Sequence, residues 1–217
     1  MGSNPYEIII AGNIENFTDI DGVKLIDLKE ESLSRKVATL RNTAADASTC
    51  DVIAWCDDDI ILNSGWYNGS VDYSLKNGWD VLGCKILNPD GTRHWDRGTI
   101  NPRKLVSYEY PSYSKNLLQT SGFLMVRRET FQKVRWNEDR LVYADRKENQ
   151  IPEDLQYSLD LASAGYELSF NENSTVWHND ESYTEWGEQT LLKDLITKQS
   201  GLGFFPPSCE EFLEQIG

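Results

Sequence analysis

The first half of the chain alternates between two periodicities, and that alternation restricts the fold more than any other feature. Tyr6–Ala11 (YEIIIA), Val23–Leu28 (VKLIDL), Asp51–Cys56 (DVIAWC) and Trp79–Ile86 (WDVLGCKI) read as strands. Between them the period changes. In residues 32–48, Leu33, Val37, Leu40 and Ala44 recur at helical spacing behind Ser32 as N-cap, and residues 64–77 also read as a helix. Strands alternating with helices predict an α/β fold with a mixed, mostly parallel sheet flanked by helices.

The second half extends this reading. Gln119–Val126 is a predicted strand and Arg127–Phe131 the start of a short helix, while residues 92–118 show no clear period and are expected to be irregular. Residues 137–150 are polar and charged and are expected to form a loop able to order over a bound ligand. Pro152 opens a predicted helix to about Ala164, with Leu155, Leu159 and Ala162 on one face. Two short strands, Tyr166–Phe170 and Thr175–His178, precede two helices near 184–197 and 208–215. Residues 4–217 are therefore expected to form one domain, with 184–217 as a helical C-terminal extension and 1–3 as an initiator and cloning remnant.

Charge removes several function classes. The 35 Asp and Glu residues outnumber 21 Lys and Arg, giving a formal net charge of −14. Such a field repels polyanions, so a nucleic-acid partner is not expected and an anionic membrane surface is disfavoured. No segment approaches the roughly 20 apolar residues of a membrane span. The four cysteines, Cys50, Cys56, Cys84 and Cys209, include no C-x-x-C pair. They predict reduced thiols in a cytoplasmic protein, with Cys56 and Cys84 as small buried apolar residues.

Three acidic or metal-ligating groups remain to be explained. Asp57-Asp58-Asp59 follows a buried strand, where open α/β sheets bind ligands and where carboxylates can hold a divalent cation against phosphates. The same triplet could be a solvated turn, with Asp59 or Asn63 capping the next helix. Glu153-Asp154 could supply a general base, yet acids behind a proline are ordinary first-turn chemistry. His178 ends a short strand and could ligate a metal or simply pack. His94, beside Trp95, has less to recommend it.

The order of these elements is more specific than any one of them. Arg41-Asn42 precedes the strand ending in Asp57–Asp59; Ser121-Gly-Phe-Leu-Met-Val-Arg-Arg-Glu-Thr-Phe131 follows, then Trp136-Asn-Glu138, Pro152-Glu-Asp154 and Val176-Trp-His178. This succession, over roughly residues 6–180, resembles family 2 glycosyltransferases of the GT-A fold. The resemblance implies transfer of a sugar from a nucleotide-diphosphate sugar, a UDP- or GDP-sugar, to a saccharide or other acceptor hydroxyl. It implies that Asp57 and Asp58 face the donor, with Arg41 near the nucleotide, and that Asp59 holds Mn²⁺ or Mg²⁺. It further implies His178 as an additional metal ligand, Asp154 as general base, Glu153 as acceptor-positioning residue, and inversion at the anomeric carbon. Trp136, Trp177 and Trp186 fall on the implied acceptor side, where they could face a sugar ring or pack in the core.

One departure stands out. The family's usual first strand has no counterpart before Tyr6–Ala11, so either the chain is truncated or that run takes the central position in a reduced sheet. This keeps a second class open, a catalytically silent carbohydrate-binding or assembly module. A nucleotidyltransferase is disfavoured, since no Gly-rich basic phosphate loop occurs near the N-terminus.

Overall fold

The computed structural model describes residues 6–17, 20–63, 65–101, 104–107, 118–140 and 152–179. Strands β1 (Ile8–Gly12) and β2 (Val23–Asp27) pair in parallel, with Ile8 opposite Val23 and Gly12 opposite Asp27. They form a two-stranded sheet of their own. No residue of β1 is fully buried, despite its three consecutive isoleucines.

The expected helix 32–48 is two helices. Helix α1 (Lys29–Leu33) ends at a reversal through Arg35, whose φ of 52° is left-handed, and α2 (Val37–Ala47) begins from Lys36 rather than from a Ser32 cap. The buried face of α2 is Ala38, Arg41, Asn42 and Ala45, spaced i, i+3, i+4 and i+7. The expected stripe is displaced from this face, and Leu33 is 64% exposed. Hydrophobicity misleads here because the inner face carries two polar residues.

The central sheet has the order β3-β9-β5-β10-β4, formed by β3 (Val52–Cys56), β4 (Ile60–Leu62), β5 (Val81–Leu87), β9 (Phe123–Arg127) and β10 (Leu168–His178). The sheet is mixed and flanked by helices, but it is not mostly parallel. Only β5 and β10 pair in parallel, while β3 with β9, β5 with β9, and β10 with β4 are antiparallel. The three strands β3, β5 and β10 do run the same way, as the alternation of elements predicts. Strand β9 enters from the opposite end and inserts between β3 and β5.

Its entry follows from the described parts of the middle of the chain, which hold strands where an irregular stretch is expected. Strands β6 (Arg97–Asn101), β7 (Lys104–Ser107) and β8 (Leu118–Gln119) form a three-stranded antiparallel sheet in the order β7-β6-β8. The run expected as one strand, Gln119–Val126, therefore divides between two sheets at Thr120–Gly122. The remaining helices are α3 (Trp66–Ser74), α4 (Arg128–Lys133) and α5 (Glu153–Ser163).

Both faces of the central sheet are buried, which is why its strands are almost continuously apolar. Alternate residues serve opposite cores. Leu82, Ile86, Phe123 and Met125 meet Trp66 and Val71 of α3 on one face. Val81, Leu124 and Val126 meet Ala38 and Ala45 of α2 and Tyr157 and Leu161 of α5 on the other. Cys84 is buried as expected, but Cys56 is exposed at the end of β3. Cys50, Cys56 and Cys84 are free thiols, and Cys209 lies outside the described residues.

The two expected strands near residue 170 are one strand, β10, interrupted by a bulge. Its pairing with β5 jumps from Asn171 opposite Cys84 to Thr175 opposite Lys85. Helix α3 holds this irregularity: Asn171 Nδ2 donates to Gly69 O at 2.7 Å, and Ser174 Oγ donates to Trp66 O at 2.7 Å. The bulge sets the register in which His178 arrives opposite Ile60. The predicted helices near 184–197 and 208–215, Trp186, and residues 141–150 of the predicted loop lie outside the described residues.

Candidate active site

The acidic triplet occupies a tight turn between β3 and β4. The Asp57 amide donates to Gly122 O at 3.0 Å, and the Ile60 amide donates back to Asp57 O at 3.1 Å. Asp58 is exposed at the turn, while Asp57 and Asp59 are partly buried. These three carboxylates do not share one environment.

Asp57 faces Arg41. The guanidinium Nη2 lies 2.8 Å from Asp57 Oδ1, and Nη1 lies 3.2 Å from Glu153 Oε1. One side chain from the inner face of α2 thus joins the turn after β3 to the first turn of α5. The Arg41 and Glu153 side chains are 8% and 7% exposed. The Arg41 guanidinium lies 4.6 Å from the centroid of the Trp136 ring, which is stacked on Tyr157 at 4.0 Å. Trp55 meets both rings edge-on and donates from Nε1 to Arg41 O at 3.3 Å. Trp136 is 2% exposed, so it is a core residue supporting Arg41 and not an open sugar platform. Trp177 is only partly buried.

Asn42 extends the same scaffold. Its amide donates to Trp136 O at 3.0 Å and Glu138 Oε1 at 2.8 Å, while its oxygen accepts from the Trp136 amide at 3.2 Å. The Arg41-Asn42 pair therefore fixes both acidic groups and the Trp136–Glu138 segment.

Glu153 and Asp154 divide their work. Asp154 Oδ1 accepts from the Leu155 amide at 2.7 Å, and the residue is an acid in the first turn of α5, where it complements the helix dipole. Burial, then the neighbouring Glu153 carboxylate, pushes the Asp154 carboxyl up to about 6. Burial also raises Glu153, opposed by the charge of Arg41. An acid poised near neutrality beside a permanently charged arginine suits a general base.

His178 meets the third aspartate. Its Nε2 lies 3.3 Å from Asp59 Oδ2, and the Asn179 amide donates to Asp59 O at 2.8 Å. Asp59 Oδ1 is buried and has no hydrogen-bond partner among the described residues. Burial raises the Asp59 carboxyl to about 6, with His178 opposing and Asp57 and Asp58 reinforcing the shift. Among the described residues no group of three or more His, Cys, Asp and Glu side chains could enclose a metal alone.

His94 is the site neighbour that the sequence did not single out. Its ring stacks on that of His178, centroids 3.8 Å apart and planes inclined by 9°. The chain contains two histidines, 84 positions apart, and the fold lays one upon the other.

Comparisons with known proteins bear on the family and the fold. A family model described as glycosyl transferase family 2 matches residues 13–135. The match includes Arg41 and Asp57–Asp59 and stops before Glu153, Asp154 and His178, whose association with the site rests on the contacts above. No curated protein matches the sequence significantly. The crystal structure of GalNAc-T7 with UDP, GalNAc and Mn²⁺ is similar in fold, with a TM-score of 0.51 at 14% identity. The similarity covers 90% of this chain and 42% of that one, so the chain spans less than half of that protein's length. The family match extends over more than half of the sequence, and the chain belongs to glycosyl transferase family 2.

Proposed function

We propose that the chain transfers a sugar from a nucleotide-diphosphate sugar to an acceptor hydroxyl, with inversion. The observation that carries this reading is the Arg41 bridge, which brings the donor-side acid Asp57 and the base-side acid Glu153 into one site. Asp154 takes the acceptor proton as the acceptor oxygen bonds to the anomeric carbon. The bond from that carbon to the diphosphate breaks, and the nucleoside diphosphate leaves with the electron pair. Glu153, anchored by Arg41, holds the first turn of α5 so that Asp154 meets the acceptor. Arg41 serves the donor by fixing Asp57, and Asp58 faces the donor from the exposed edge of the turn.

The residues present fit a divalent cation. Asp59 contributes a buried carboxylate oxygen without a hydrogen-bond partner among the described residues, and His178 an imidazole nitrogen directed at the same carboxylate. A carboxylate and an imidazole suit Mn²⁺, with Mg²⁺ as the harder alternative. Two protein ligands leave room for diphosphate oxygens, and the bound ion would neutralise charge on the leaving group. The structure found for GalNAc-T7 contains UDP and Mn²⁺, which supports the same donor chemistry here.

A second reading, a carbohydrate-binding or assembly module without turnover, is favoured by the separation of the β1–β2 sheet from β3. Thermal-shift titration with UDP- and GDP-sugars, with and without Mn²⁺, followed by donor hydrolysis and anomeric NMR, separates the two. Enzyme activity predicts Mn²⁺-dependent stabilisation by one donor class, slow hydrolysis, and loss of both in Asp59→Ala. Metal-independent binding of glycans with no turnover of any donor would establish the module instead.

A further inference from the structure

We propose that His94 is a positioning residue that sets the plane of the His178 ring, and so the direction in which His178 offers Nε2 toward Asp59 and the cation. The proposal deepens the metal site inferred above and rests on that reading for its consequence on cation affinity. Its structural part stands independently.

The need for such a device follows from the side chain. The χ2 torsion of histidine is broad, so a rotamer alone does not fix where the ring nitrogens point. His178 sits at the last position of β10, paired opposite Ile60, and this ladder fixes its backbone but not the plane of its ring. A flat neighbour supplies that control. The His94 ring lies against His178 at 3.8 Å and within 9° of parallel, so rotation of either ring about χ2 would drive its edge into the other.

His94 is itself held. Its amide donates to Ile86 O at 2.9 Å, anchoring it beside β5, the parallel neighbour of β10. Its Nδ1 is 3.1 Å from Asn88 Oδ1. The Asn88 amide nitrogen donates to Thr92 Oγ1 at 3.0 Å, which assigns Asn88 Oδ1 as acceptor and places a proton on His94 Nδ1. The turn carrying these contacts closes through Gly91 N to Asn88 O at 2.8 Å, with Gly91 at φ 80°. Only glycine takes that backbone conformation without strain. The Asn88–Thr92 turn is thus a bracket for the His94 ring.

Stacking also distinguishes positioning from ligation. An imidazole lone pair lies in the plane of its ring. A cation in the plane of His178 lies well outside the plane of a parallel ring stacked on it, so the two rings cannot both address one ion in this arrangement. His94 acts through His178.

The test uses Mn²⁺ alone and Mn²⁺ with inorganic pyrophosphate, free ion being followed by electron paramagnetic resonance. Loss of an orienting neighbour around a ligand histidine typically weakens metal binding ~10–100-fold. His94→Ala is expected to weaken Mn²⁺ at the lower end of that range, and His94→Phe, which keeps a flat ring without nitrogens, to restore it to within about threefold. Equal weakening in both variants would make His94 a ligand and overturn the proposal. Unchanged affinity in His94→Ala would overturn it too.

A metal-free measurement separates this from failure of the cation site. With two histidines in the chain, the imidazole resonances assign by single substitution. The His178 Hε1 signal is expected to carry a ring-current shift that His94→Ala removes and His94→Phe restores. That pattern without Mn²⁺ binding by the unmodified protein would sink the metal reading and leave the positioning role intact. No shift on removing His94 would sink the positioning role whatever the metal does. Should His94→Ala fail to fold, Asn88→Ala loosens the bracket while keeping the ring, and the same His178 signal must move.

Discussion

Arg41 meets Glu153 across 112 positions of sequence, Nη1 to Oε1 at 3.2 Å, with both side chains buried. The other guanidinium nitrogen holds Asp57 at 2.8 Å. A buried charge pair adds little net stability over an apolar one, but removing one member leaves an uncompensated charge. The pair is therefore a constraint on geometry more than a source of stability.

Arg41→Ala is expected to destabilise the fold by about 3–5 kcal/mol, a fall in Tm on the order of 10 °C for a chain of this size. Glu153→Gln should recover part of the loss in the double variant, since it removes the stranded charge. A double-mutant cycle by chemical denaturation measures the coupling. Additive effects would show that the pair does not operate as described. Arg41→Lys keeps the charge but loses the fork, and should retain more stability than donor hydrolysis.

Asp154 gives opposite predictions for activity and stability. Its carboxyl is raised to about 6, mainly by burial. In the proposed role of base it must be ionised, so kcat/KM is expected to rise with pH through about 6 and then level. For stability the sign reverses. A carboxyl raised in the folded state binds its proton more tightly there than when unfolded. Its stabilising contribution is present below the unfolded value near 4 and lost as pH rises through about 6. Asp154→Asn keeps the oxygen that accepts from Leu155 and removes the buried charge. It should abolish turnover and raise Tm by a few degrees at pH 8, with little change at pH 4. A lower Tm at pH 8 would contradict the account.

Gly69 offers a test remote from the chemistry. A Cβ there would lie 2.8 Å from Asn173 O, a backbone atom of the β10 bulge. Alanine gains about 1 kcal/mol of helix propensity over glycine, yet the clash cannot be relieved by a side chain moving. Gly69→Ala is expected to destabilise by about 1–3 kcal/mol and to weaken Mn²⁺ binding, because the bulge sets the arrival of His178. Unaltered cation affinity at reduced stability would uncouple the bulge from the site.

The β1–β2 sheet should open independently of the core. It has two strands, and β1 has no fully buried residue. Amides of Ile8–Gly12 are expected to exchange with deuterium orders of magnitude faster than those of β5 and β9, which lie inside the five-stranded sheet. Equal protection would show that the two sheets unfold as one unit.

Most strands were readable because a sheet covered on both faces requires nearly unbroken apolar runs, and Val52–Cys56 and Val81–Leu87 are such runs. Reading failed where polar residues face inward. The α2 face of Ala38, Arg41, Asn42 and Ala45 looks hydrophilic in sequence, so the apolar stripe of Leu33, Val37, Leu40 and Ala44 points to a different side. The β6–β8 sheet was missed because its strands are short and its partners distant. Thr120–Gly122 carries no punctuation strong enough to show that one apolar run serves two sheets. The candidate acids stand out by their order along the chain, whereas the Arg41 bridge and the His94 stack have no local signature. Both are contacts between segments more than 80 residues apart, and no local pattern encodes such a meeting. Arg41 stands out in the sequence through its place beside Asn42 ahead of the acidic strand, which says nothing of the two carboxylates it joins.

The topology also dictates when the site comes into being. Strand β3 must wait for β9, Val52 for Arg127, and the turn at Asp59 must wait for β10 to deliver His178. A ribosome adding about 5–20 residues per second leaves the Asp59 carboxylate without its histidine for on the order of ten seconds. Pairing of β10 with β4 and β5 brings His178 to Asp59, so the candidate site is assembled by the strand that comes last among the described residues.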